Sequence, residues 1–379
     1  MLTKLTEGEG GDVMSDSQPI NTAVALHDAA LSALHEGRLD DARQLATEAV
    51  EAAHAAFGPE SADLANVLLT AATTEEAAGD FAAALKLAER AAQVAARLVE
   101  SHDADLMTLW VDIEVACGHL LATLGEYDRG ETRLAATLSA ATRVLGPDHA
   151  AVLSIHNVRG ITAKFAGRFD DAEGHYMLAR AALEAQPNID EQALAALLHN
   201  LGGLDHSRGR IADGLAHAQE GLELRVKAVG PDHPDVARDL NAIGALHHDA
   251  GDSAAAHSVY RKALDVFERS LGSDHYEVGM TCANLAVSTA EAGDAANAQR
   301  LYERALTILE PRLGASHPDV ALVQHNLATL LAEQGDIDGA RDLLARAKTS
   351  LTSSLPEDHP RVLDLVATIQ DLSSRSGGL

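Results

Sequence analysis

The chain has 379 residues, 46% of them hydrophobic but only 3% aromatic, and a formal net charge of −28. That length exceeds a single compact core and predicts several domains or an extended array. The hydrophobic share excludes a mostly disordered chain, and an apolar content carried by alanine favours close-packed helices over sandwiched strands. A chain this acidic repels phosphate, which excludes general nucleic-acid and anionic-membrane binding from the expected partners.

The first residues, MLTKLTEGEGGDVMSDSQ, carry no apolar run typical of a secretory signal. Residues 1–19 read as a disordered polar tail, with Met14 as an alternative start. Further along, no apolar stretch approaches the ~20 residues of a membrane span. Cys117 and Cys282 are too few for a disulfide framework. Cytoplasm is therefore the expected compartment.

From there on the chain repeats. A glycine followed by a polar residue recurs at Gly37, Gly79, Gly125, Gly167, Gly209, Gly251, Gly293 and Gly335, every 42 residues except for a step of 46 before Gly125. A loop motif keeps the same step: HPDV at His233, HYEV at His275, HPDV at His317 and HPRV at His359. Small residues hold the register seven before each glycine (Ala30, Ala72, Gly118, Gly160, Gly202, Gly244, Ala286, Ala328) and again five and twelve after it. Helix axes approach to ~8 Å only where the crossing residues are small. Each unit therefore reads as a helical hairpin with a small-residue seam, unable to bury its apolar face without its neighbours.

This small–turn–small–small register resembles the tetratricopeptide repeat (TPR), and the 42-residue period with LGPDHPDV-type loops resembles its kinesin-light-chain-like branch. The resemblance spans nearly the whole chain. It implies an all-α, right-handed α-solenoid of about eight TPR hairpins over residues 20–375, closed by a cap helix at about 360–373. Tyr176, Tyr260 and Tyr302 hold the bulky slot nine after the turn glycine, but Ala46, Ala88 and Ala218 do not, which predicts looser packing in repeats 1 and 2. In the loop motif, Gly230 or Gly272 stops a helix in the left-handed conformation, and the Pro of HPD starts the next without losing a hydrogen bond. The loop histidines, His149, His233, His275, His317 and His359, read as junction-packing or capping residues. Trp110, at the stretched step, reads as filler for the space the insertion opens.

The resemblance also implies that the first helix of each hairpin lines a concave surface. Asn200, Asn284 and Asn326, nine before the turn glycine, resemble the asparagine by which this family holds a peptide backbone; Asn157 and Asn241 sit one residue displaced. His325 shares the register of His199 at ten before the glycine. Asp249, Glu291 and Glu333 form an acidic ladder at 42-residue steps, suited to a cationic segment. His206 and His248 occupy the adjoining row, where Lys164 also falls.

Asp205, His247 and Arg159 stand where the repeat elsewhere places packing residues. They predict a charge network beneath a pocket. Two readings compete for this cluster. One is a protein- or peptide-binding scaffold that takes a basic segment, with no cofactor. The other is an enzyme or small-molecule protein using His199, His206, His248, Asp205 and Arg159, or a divalent metal such as zinc on His206, His248 and Asp249. Self-association through the N-terminal repeats is a third reading.

Overall fold

The protein is described here from a computed structural model covering residues 17–36, 38–99, 103–186, 188–354, 357 and 359–376. Gly37 and residues 1–16 of the expected tail lie outside the described residues. Among the described residues every regular element is helical. The helices follow in order: α1 (Ser17–His35) paired with α2 (Leu39–Phe57), α3 (Ala62–Ala77) with α4 (Phe81–Leu98), α5 (Ala104–Thr123) with α6 (Tyr127–Leu145), and then α7 (Ala150–Phe165) and α8 (Phe169–Glu184). Then come α9 (Glu191–Ser207) with α10 (Ile211–Val229), α11 (Pro234–Asp249) with α12 (Ser253–Leu271), α13 (Tyr276–Glu291) with α14 (Ala295–Leu313), and α15 (Pro318–Gln334) with α16 (Ile337–Ser354). A final helix, α17 (Pro360–Ser376), closes the series at the place expected for the cap. Helix α1 starts at Ser17, inside the stretch expected to be tail.

The chain divides into two compact units, residues 1–162 and 163–379. Within each unit neighbouring hairpins pack together, and successive first helices also meet: α1 with α3 and α3 with α5 in the first unit, and α9 with α11, α11 with α13, α13 with α15 and α15 with α17 in the second. The seam is as small and as buried as its register requires. Ala30, Ala42, Ala49, Ala286, Ala298 and Ala305 are wholly buried. A Cβ added at Gly244 would stand 2.5 Å from the Tyr260 ring, and one at Gly118 would stand 2.7 Å from Leu134. Those glycines exist because the facing helix carries a large side chain. Ala46 and Ala88, expected to leave slack, are buried at 3% and 0% exposure. The helices there close onto the smaller residue, so a missing aromatic does not leave the position open to water.

One loop expectation needs correction, and the expected histidine caps hold. Gly230 does take a positive φ, 86°, but with ψ 160° it is extended rather than left-handed helical, a conformation open essentially to glycine alone. Its N–H bonds to the Val226 carbonyl and ends α10. The residue that starts the next helix is the histidine: Nδ1 of His233 accepts the Asp235 N–H at 3.2 Å, and Pro234 follows at the first helical position. The same cap recurs at His149, His275, His317 and His359, with distances of 3.1–3.3 Å.

Helix α5 corrects the membrane expectation. It is long and apolar enough to cross a bilayer by length and composition, with a mean hydropathy of 1.3. Half of that window is buried inside the protein, where Met107, Val111, Ile113, Cys117, Leu120 and Leu121 pack against neighbouring helices. Trp110 is half-buried and packs beside them. Its apolar character serves the core of the first unit.

Candidate functional site

The polar residues of the first helices make contacts that repeat with the chain. Ten before the turn glycine, the side chain reaches the next first helix: His27 Nε2 to Thr70 Oγ1 at 2.8 Å, His199 Nδ1 to Asp239 Oδ1 at 2.9 Å, Asn241 Nδ2 to Thr281 Oγ1 at 2.9 Å, and His325 Nε2 to Thr368 Oγ1 at 2.8 Å. Burial lowers the pKa of His27 and of His325. These groups fasten neighbouring repeats to one another, so His199, Asn241 and His325 are committed within the chain.

Seven residues further on, two turns along the same helix face, the second unit carries a chain of charges. His206 Nε2 lies 2.5 Å from Asp249 Oδ2. His248 Nδ1 lies 3.0 Å from Asp249 Oδ1, and its Nε2 lies 2.7 Å from Glu291 Oε1. Ser253 Oγ donates to the other Glu291 oxygen at 2.7 Å. Two rungs of the expected ladder, Asp249 and Glu291, are thus joined through His248. Burial works against the charged form of His248, but its hydrogen bonds to Asp249 and Glu291 outweigh that and raise its pKa. Burial likewise works to raise the Asp249 carboxyl, and the hydrogen bonds from His206 and His248 hold it below the ordinary carboxylate value. The pattern then stops. Where a third histidine would stand, repeat 7 has Ala290, and Glu333 is exposed with no cationic partner among the described residues.

Comparison with known proteins bears on this periodicity. Residues 21–97, 113–185, 193–269 and 277–353 match the family model described as tetratricopeptide repeat. The chain belongs to the tetratricopeptide repeat family. Among solved structures, this TPR chain is similar to a Rap protein complexed with competence and sporulation factor (17% identity, TM-score 0.56, covering 80% of each chain). It is similar also to BtubC (BKLC) from P. vanneervenii, at 21% identity and TM-score 0.51, covering 59% of this chain and 90% of that one. Putative kinesin light chain repeats from Podosopora anserina match at 18% identity and TM-score 0.44, over 53% and 96% respectively. At such identities the likeness is one of fold. No curated protein matches the chain by sequence. TPR arrays generally mediate protein–protein interaction, and the first helices are where the unassigned polar groups of this one lie.

Six TPR positions singled out from sequence behave otherwise than expected. Arg159, Asp205 and His247 do not form one network. The Arg159 guanidinium is paired with Glu131 of α6. Asp205, 3% exposed, takes Arg210 at 2.5 Å and His217 Nδ1 at 2.7 Å, both from its own hairpin's second helix or the turn before it. His247 is half-buried and bonded to neither. The cause is the packing slot: each charge meets a second helix, α6 for Arg159 and the α10 side for Asp205, and the opposite charge found there neutralises it. Nor do His206, His248 and Asp249 form a metal site, because Asp249 sits between the rings as a hydrogen-bond bridge. Among the described residues no group of three or more His, Cys, Asp or Glu side chains is placed to hold a metal ion.

The remaining candidates divide by whether they are already engaged. Asn157 and Asn200 are half-buried and engaged. Asn284 and Asn326 are half-buried, and among the described residues their side-chain amides make no hydrogen bond. Lys164 is half-buried, with no carboxylate partner among the described residues; its ammonium lies 4.9 Å from the Phe165 ring centroid, and burial lowers its pKa. Both cysteines are buried, and burial pushes the Cys282 thiol up to about 11 and the Cys117 thiol up to about 12, which makes them packing groups.

Sequence reasoning missed Asp239, which is 3% exposed and held by His199 and by Arg225 Nε at 2.9 Å. The signal was present. Twelve before the turn glycine the other repeats place Ala25, Val67, Ile113, Ile155, Leu197, Thr281 and Val323, and an aspartate in that row needs a partner.

Proposed function

We propose that the protein is a scaffold whose first-helix surface in the second unit binds an extended, basic segment of a partner protein or peptide. The observation that carries this reading is the pair Asn284 and Asn326. These two amides stand one repeat apart, without intramolecular partners among the described residues, seven residues from Glu291 and Glu333 on the same helix faces. An amide supplies both donor and acceptor, and so suits a backbone that needs both. Ala332 beside Glu333 leaves that carboxylate approachable, whereas both oxygens of Glu291 are held by His248 and Ser253. The net charge of −28 adds attraction for a cation at longer range. The Rap protein that shares the fold was solved with a bound factor, which agrees with this use of the scaffold. We place this activity in the cytoplasm.

Fluorescence anisotropy with a lysine-rich and a glutamate-rich peptide of matched length tests the reading. The lysine-rich peptide binds and loses affinity as salt rises. The Asn284→Ala, Asn326→Ala double variant weakens it by at least about fivefold, as expected for loss of one to two hydrogen bonds of ~1 kcal/mol each. Equal binding of the two peptides, or indifference to the double substitution, overturns the reading.

A further inference from the structure

The position of His248 raises a question of proton count. Both of its ring nitrogens face a carboxylate oxygen, Asp249 Oδ1 at 3.0 Å and Glu291 Oε1 at 2.7 Å. A neutral imidazole has one N–H and can donate to one of them only; the other nitrogen would then turn a lone pair toward a carboxylate. An imidazolium satisfies both. The ring therefore sits between Asp249 and Glu291 as a cation, in the kind of place where a ligand's ammonium or guanidinium would bind.

The surroundings hold few competing charges. On α9, His206 bonds the far oxygen of Asp249, and on α12 Ser253 donates to Glu291. Tyr260, from α12, faces both carboxylates; burial first and then those charges push its hydroxyl up to about 12, so it stays neutral. Tyr302, on α14, is buried beside Glu291 and Glu333 and is likewise neutral. His247, on the other side of α11, is half-buried and outside the chain of bonds. Lys164, from α7, approaches the α9 backbone at Gly203, one turn before His206. One repeat later the histidine position is Ala290, and Glu333 has no such occupant.

We propose that His248, backed by His206, is a resident cation that masks Asp249 and Glu291, so that a basic partner engages Glu333 first and reaches the other two carboxylates only by displacing the imidazolium as its proton leaves. This rests on the groove reading above and deepens it. It makes the number of cation sites on the surface a function of pH: one in mild acid, three once His248 is neutral. The occupant is a segment carrying several ammonium or guanidinium groups, since a single charge would be satisfied at Glu333 alone.

The test is calorimetric titration of the full chain with a short lysine–alanine peptide at about pH 5.5 and about pH 8, in buffers of different ionisation enthalpy. The expected result is binding about tenfold tighter at the higher pH, with proton release on binding at intermediate pH. The His248→Gln variant, which keeps a donor but cannot become a cation, should lose most of that dependence. Glu333→Gln should weaken binding at both values while keeping the dependence. Circular dichroism on both variants confirms that they are folded. Binding of the peptide with equal affinity at the two pH values, or an unchanged dependence in His248→Gln, overturns the masking and leaves the groove reading standing. Absence of binding at both values overturns the groove reading and the masking with it.

Discussion

At the starts of α11, α13 and α15 a histidine ring turns Nδ1 toward a backbone N–H; near the end of α11 another turns both nitrogens toward carboxylates. The first arrangement demands an unprotonated nitrogen, the second a charged ring. The residues of both groups recur or align with the same 42-residue step, and their intrinsic chemistry is the same. What separates them is the partner. A free helix N-terminus offers donors and a partial positive charge, and so selects the neutral imidazole. A row of carboxylates selects the imidazolium. The response to pH is therefore opposed at His317 and His248, the one lowered and the other raised.

The comparison breaks most severely if the buried anchor of the row is removed. His199 and Arg225 both bond Asp239, and the Arg225 side chain is only 11% exposed. Asp239→Ala leaves that guanidinium buried and unpaired, for which a loss of about 3–5 kcal/mol is expected in urea unfolding. A loss under about 1 kcal/mol would show that Arg225 finds water or another carboxylate, and that the junction between α9 and α11 does not depend on this charge. Because repeat arrays unfold in parts, the change should be largest in signals from repeats 5 and 6.

A smaller effect separates the loop set. His317 is buried, and burial, only partly opposed by Asp319, lowers its pKa below the ordinary 6.5. A histidine whose folded pKa is depressed contributes stability that is present above 6.5 and is lost as pH falls through the folded value. Protonation removes the lone pair that accepts the Asp319 N–H at 3.1 Å. His317→Asn keeps a capping acceptor without a titrating group. It should match wild type near neutrality and exceed it in mild acid by about 1 kcal/mol, the usual worth of a cap. Unfolding curves at a series of pH values check this; parallel acid losses in both proteins would remove the caps from the account.

These cases also mark how far the sequence was legible. Turn glycines, seam alanines and the hairpin count follow from periodicity because stacking forces each repeat to solve the same packing problem. The ladder Asp249–Glu291 was legible for the same reason. Pairings with the second helices were not. Asp205 turns to Arg210 and His217, and Arg159 to Glu131, across distances in the chain that carry no fixed step. Periodicity assigns a residue to a row, and the rotamer then decides which of several nearby charges it meets. Nor does sequence say that the residue ten before each glycine is spent on the next repeat; that follows from how closely neighbouring first helices approach. Nor does sequence say that Ala46 and Ala88 are closed to water without an aromatic in the slot, as both are.

The mildest effect is the most informative about the row. His248 has a raised pKa, so the sign reverses relative to His317: its contribution is fully present below 6.5 and disappears as pH rises through the higher folded value. The ring is 30% exposed and its two partners 48% and 40%, so solvent screens the pair and the contribution stays below about 1 kcal/mol. His248→Gln should therefore be slightly less stable than wild type in mild acid and indistinguishable from it in mild base. His317→Asn should show its difference on the same acid side with the opposite sign. Combining the two substitutions should bring the acid limb closer to wild type than either alone, because the sites lie on separate hairpins and share no partner. Should the His248 variant instead differ from wild type equally at every pH, the ring would be acting by packing rather than by charge, and the row would hold no resident cation.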